Sequence, residues 1–89
     1  MIYVDKLFHR PSKNPQAFNV GKKYNHMWCH LWADDAQELT NFAVMLGLKK
    51  EWFQQKGKFL HYDIVPSFRK KAIENGAIEV SLSKWLKTS

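Results

Sequence analysis

The chain has 89 residues, room for one compact domain and not two. Hydrophobic residues make up 45%, which excludes a disordered chain, and the single Cys29 excludes an internal disulfide. Fourteen Lys and Arg against eight acids give a formal charge of +6, which favours anionic partners: nucleotide, nucleic acid or an acidic protein surface.

A domain of this size buries only about 60–65% of the surface its unfolded chain exposes. A homodimer is one way to add to so small a core. Four Trp, six Phe and three Tyr must partly fill that core, and the others are available to an interface or a ligand. No apolar run is long enough for a membrane span. The start, MIYVDKLFHRP, has no extended apolar segment of the secretory type. The expected setting is the cytoplasm, where a lone thiol is at home.

Residues 2–7 read as a first strand, with Met1, Tyr3 and Asp5 on one face and Ile2, Val4 and Lys6 on the other. Asp5 closes the apolar part, as a strand end or a solvated turn former. Residues 8–26 read as a long basic loop carrying Arg10, Lys13, Lys22 and Lys23, with no acid. Such a loop can close over an anion, or it can be a plain surface insertion.

Residues 27–32, MWCHLW, form a second strand. Met27, Cys29 and Leu31 share one face, and Trp28, His30 and Trp32 the other. The second face suits either a stacking platform or core beneath a helix. The first helix spans 35–46. Asp35 is its N-cap, Glu38 the capping-box partner, and Gly47 the stop. Trp52 to Gln55 extend this helix until Gly57 breaks it.

HYDIV, residues 61–65, is the third strand. Alternation puts His61 and Asp63 on one face and sends Tyr62 the other way with Ile64. An imidazole beside a carboxylate can orient a ligand, hold a metal or move a proton. Ser67 caps a second helix, 67–75, ended by Gly76, with Arg69 and Lys70 near its start. Cations there oppose the helix dipole unless an anion binds at that end. Residues 78–83 alternate as a last strand, and Trp85 and Leu86 close the core. The sum is an α+β domain: a mixed sheet of about four strands with two helices packed on it.

The words Tyr3-Val4-Asp5, Cys29-His30, Ala33-Asp34, Glu38-Leu39, Trp52, Gln54, His61-Tyr62-Asp63, Arg69 or Lys70, and Gly76-Ala77 occur in a characteristic order. In this order and spacing the chain resembles DUF4031, a small bacterial and phage domain of unknown function. The segment between Lys6 and Trp28 is longer than usual for that pattern. The resemblance implies a shared fold and a polar centre near His30, Asp34, His61 and Asp63. It supplies no activity.

Three chemistries compete for these residues. Two His and a carboxylate, His30, His61 and Asp63, can hold zinc or iron(II), with Asp5 or Asp34 in support. No dense ligand spacing such as HExxH is present, so no metal or cofactor is assigned. Acid–base hydrolysis of a phosphoester or nucleotide-type substrate would use His30 or His61 steered by Asp63, with Arg69, Lys70 or Lys13 stabilising charge. Binding without chemistry asks least of the sequence and is the leading expectation. The ligand set is then Arg10, Lys13, Lys22, Lys23, His30, His61, Tyr62, Asp63, Arg69 and Lys70.

Overall fold

A computed structural model describes residues 1–11 and 22–88. Lys13 and the middle of the basic loop lie outside these residues. The strands are β1 (Ile2–Val4), β2 (Phe8–His9), β3 (Met27–Ala33), β4 (Phe53–Lys56), β5 (Phe59–Ile64) and β6 (Ile78–Glu79). The helices are α1 (Ala36–Leu46), α2 (Pro66–Glu74) and α3 (Leu82–Thr88), with a 3₁₀ turn at Lys50–Trp52. The sheet runs β4-β5-β3-β1-β6, and β2 also pairs with β3. β1 and β6 are parallel and the other pairs antiparallel, so the α+β mixed sheet stands, with two more strands and one more helix among the described residues than expected.

Asp35 caps α1 by accepting from the Gln37 N–H. Gly47 ends it at φ 83°, a left-handed conformation that strains any residue with a side chain, and the Gly47 and Leu48 N–H groups take up the last carbonyls. Ser67 is not the cap of α2. Val65 is, without a side-chain bond, and Pro66 occupies the first turn, where its missing N–H costs nothing. The Ser67 hydroxyl donates instead to the Tyr24 hydroxyl at 3.1 Å.

Three other expectations fail for physical reasons. Phe53 to Gln55 do not extend α1. They form one arm of a hairpin with β5 through a two-residue turn at Gly57-Lys58, with Gly57 at φ 62°. The last strand stops at Glu79. The Val80 N–H makes a closing bond to the Val4 carbonyl, and the alternating Leu82 starts α3 instead. The first strand also stops early, at Val4. Val4 faces Leu31 and Phe8 faces Trp28, so four steps on one side match three on β3. One extra residue makes a β-bulge at Asp5–Leu7, and β2 resumes the pairing with its side chains flipped in phase. Part of the expected 8–26 loop is therefore strand.

The sheet has unlike faces. On one, Ile2, Val4, Cys29, Leu31, Tyr62 and Ile64 pack against Leu39, Ala43 and Leu46 of α1 and Ala72 of α2. This is the main core. On the other, Trp85 of α3 packs on Tyr3 and Trp32 at 6.0 and 5.8 Å between ring centroids, so Trp32 is core beneath a helix. α3 covers only that part. Beyond it, along β3 and β5, lie His30, His61 and Asp63. Among the described residues no helix is long and apolar enough to cross a membrane.

Cys29 is fully buried on the core face, and that burial pushes its thiol up to about 12. A disulfide reagent is expected to leave the native thiol unmodified and to label it completely once the chain is unfolded in denaturant. Prompt labelling of native protein would contradict the buried β3.

Candidate functional site

The site begins with the bulge. Pairing stops at Val4, so the His30 N–H has no regular partner on β1. The Asp5 carboxylate supplies one: Oδ1 accepts the His30 N–H at 2.7 Å and Oδ2 contacts His30 Nδ1 at 2.6 Å. A carboxylate only accepts, so the proton of the second bond sits on Nδ1. In the neutral ring Nε2 is then a bare acceptor facing the cluster. Phe8, brought to this face by the bulge, stacks on the ring at 4.9 Å.

β5 supplies the opposite wall. His30 and Asp63 are direct register partners, and His61 lies two residues along on the same face. The His61 ring is sandwiched against Phe59 at 4.3 Å and meets His30 edge-on at 5.2 Å. Its Nδ1 lies 3.4 Å from the Phe59 carbonyl. Its Nε2 is 3.6 Å from Asp63 Oδ1, and His30 Nε2 is 3.9 Å from the same oxygen. Burial pulls the His61 pKa below the usual imidazole value, more than the Asp63 charge and the Phe59 carbonyl raise it, so the neutral ring is favoured.

Asp63 is divided between two duties. Its Oδ2 accepts from Arg10 Nη2 at 2.9 Å. Its Oδ1 is buried and has no hydrogen-bond partner. Arg10 is 61% exposed and lies over the Phe8 ring at 5.5 Å, so its remaining donors face solvent above the cluster. Its backbone is fixed at both polar groups: the N–H donates to the His26 carbonyl, and the carbonyl accepts from Trp28 Nε1.

The structure thus brings together Arg10, His30, His61 and Asp63. It separates others from them. Tyr62 lies in the main core on the far face, against Phe53 at 5.5 Å, and does not reach the cluster. Arg69 is a tie. Its Nε donates to the Asp5 carbonyl and its Nη2 to Glu79, so it clamps the bulge to β6 and is not free for a ligand. Asp34 accepts from the Tyr3 hydroxyl and stands outside the cluster. Lys22, Lys23 and Lys70 are exposed; the Tyr24–Ser67 bond joins the turn that bears the first two to the helix that bears the third.

Asp5 is the functional residue that sequence reasoning undervalued. Its shared face with Tyr3 is readable from alternation, but its bond to His30 needs the bulge. A groove of about 460 Å³ runs along Asp5–Phe8 and Glu79–Leu82; it touches the cluster through Asp5 and Phe8 but is lined by none of Arg10, His30, His61 and Asp63. The convergence of polar atoms, not the groove, marks the chemistry.

A family model described as a protein of unknown function (DUF4031) matches residues 14–89. The match includes His30, His61 and Asp63, and begins after Asp5 and Arg10. No curated protein and no solved structure matches the chain.

Replacing Asp5 with Ala removes both bonds to His30 and leaves a partly buried backbone N–H without its partner. The expected loss is about 1–3 kcal/mol in urea unfolding. Lys6→Ala, in the same bulge but exposed, should stay within about 0.5 kcal/mol. Equal effects from the two substitutions would mean that the Asp5–His30 pair does not hold the bulge.

Proposed function

The chain belongs to the DUF4031 family, and from that premise we propose that it binds an anionic, phosphate-bearing ligand at the face formed by Arg10, His30, His61 and Asp63. The observation that carries this reading is Arg10. Its guanidinium is aimed by Asp63, laid on Phe8 and mostly exposed above two imidazoles. A planar fork with free donors suits a phosphate or phosphodiester group. Lys22, Lys23 and Lys70 support it from the end of the sheet where β3 begins and β5 ends, and the formal charge of +6 gives long-range attraction of the right sign. A nucleotide or a single-stranded segment is the favoured form, because Phe8 and Phe59 flank the cluster as stacking surfaces.

A second reading, hydrolysis of the bound phosphoester, rests on a different observation. The Asp5–His30 bond at 2.6 Å fixes the tautomer that leaves Nε2 able to accept a proton, the arrangement an oriented general base requires. Arg10 would stabilise the charge that develops on the phosphoryl oxygens.

One titration series tests both readings. Orthophosphate, nucleotides and short DNA and RNA oligomers are added at about 50 and 200 mM salt, because added salt makes counterion release less favourable and weakens phosphate contacts. Binding is expected to weaken with salt and to fall at least about tenfold in Arg10→Ala, the loss of one charge-assisted contact. No binding at low salt to any of these, or an Arg10→Ala variant that binds as the native chain does, rejects the phosphate reading. Turnover of a bound nucleotide or phosphodiester, abolished in His30→Ala while binding persists, establishes the hydrolytic one.

A further inference from the structure

We propose that His30 Nε2, His61 Nε2 and Asp63 Oδ1 are the three protein ligands of a divalent transition-metal ion. The inference deepens the phosphate-binding reading and rests on the same face.

Its first support is convergence. The three residues each bring a ligand atom within 4.8 Å of the others. Ligands about 2.1 Å from a tetrahedral zinc lie about 3.4 Å from one another. The 3.6 and 3.9 Å separations from Asp63 Oδ1 lie close to that spacing, and the third pair, within 4.8 Å, closes by rotation of the two rings.

The second support is the sign of the groups. The three atoms are all acceptors once the protons on the rings are placed. Asp5 holds the His30 proton on Nδ1, and the Phe59 carbonyl offers the only acceptor near His61 Nδ1 among the described contacts. Asp63 Oδ1, buried, takes no hydrogen bond, and at 3.6 Å His61 Nε2 is too far to give one. A buried carboxylate oxygen left so costs free energy that a cation would recover.

The third support is the surrounding shell. Metal-bound histidines usually donate their other ring N–H to a carboxylate or a backbone carbonyl. Here Asp5 and the Phe59 carbonyl stand at those positions. Arg10 occupies Asp63 Oδ2 and leaves Oδ1 for the ion. Two imidazoles and one carboxylate suit zinc or iron(II) and leave coordination positions for an exogenous ligand. The same ion settles the electrostatics of the site. Asp5 and Asp63 bring two negative charges beneath Arg10, a poor seat for a phosphate. A divalent cation reverses that balance and offers the phosphate oxygens a ligand position.

The experiment uses the full chain without a histidine tag, freed of metal by a chelator. It is titrated with Zn²⁺ by calorimetry and with Co²⁺ by its visible absorption. One ion per chain is expected, with the absorption of a low-coordinate nitrogen–oxygen site. Affinity should fall at least tenfold in His61→Ala and in Asp63→Asn, the second chosen because it keeps the side-chain volume. Asp5→Asn should weaken binding about 10–100-fold through its hold on His30. His9→Ala should change nothing. Circular dichroism checks that each variant is folded. No stoichiometric binding, or binding that survives Asp63→Asn in the folded variant, would falsify the metal site. Orthophosphate is then added to the metal-loaded and chelated forms. Phosphate bound only by the loaded form supports the site and the phosphate reading together. Metal bound without phosphate upholds the site and removes that reading. Phosphate bound equally by both forms, with no metal uptake, overturns the site and keeps the reading.

Discussion

The Asp5 carboxylate is the point on which the two halves of this domain turn. It stands where the pairing of β1 with β3 breaks and spends its two oxygens on one residue, His30, through the backbone N–H and the ring. One acid therefore repairs the sheet and aims a side chain. Arg69 holds the same spot from behind, bonding the Asp5 carbonyl and Glu79 of β6. An extra residue in a strand ordinarily loosens the ladder and increases the local twist. Here the lost ladder bond returns as a charge-assisted one, which is shorter and stronger than the bond it replaces. The bulge also brings Phe8 onto the His30 face. Without it, Phe8 would share the face of Ile2 and Val4.

The sheet divides its labour between faces. The face under α1 and α2 is dry and contains the aliphatic residues that a chain of 89 residues needs for a core. On the other face Trp85 covers Tyr3 and Trp32, while Trp28 beside Arg10 and His61 beneath Phe59 are buried as well. Trp32 is buried among Trp85 of α3, Tyr3 and Phe59, and Phe59 in turn borders the histidines. The polar cluster is thus left at the margin between a covered aromatic patch and solvent. That position is partly dehydrated, which strengthens each interaction there, and still reachable. A cluster in the main core would be sealed, and one on an exposed edge would be screened.

Local rules made much of this legible. Alternation in HYDIV separated His61 and Asp63 from Tyr62, and the structure keeps them on opposite faces. Asp35 and Gly47 delimit α1 because capping is decided by neighbours in sequence. The failures are those where a distant partner decides. Phe53–Lys56 carry no strong strand pattern and become a strand because β5 lies beside them and Gly57 can take a positive φ. Arg69 looked like a free cation at a helix start, since nothing local reveals that the Asp5 carbonyl and Glu79 await it. The alternation of Ile78, Val80 and Leu82 was real but served two elements, because β1 is too short to pair beyond Glu79. Asp5 and His30, 25 positions apart, could be joined only by knowing the register and its one-residue slip.

The same argument bears on how charge is read. A net +6 favoured anionic partners, yet the cluster itself is built from acceptors, and its two carboxylates lie under one arginine. Global charge governs approach, because it acts over a Debye length; local geometry governs what is held. The two have opposite signs at this site. On the proposed reading, a phosphate drawn in by the lysines would meet Asp5 and Asp63 beneath Arg10 unless a cation lay between them. On that same reading, an ion bound to the imidazoles would reconcile attraction at long range with repulsion at contact and tie the basic rim to the polar centre as parts of one site.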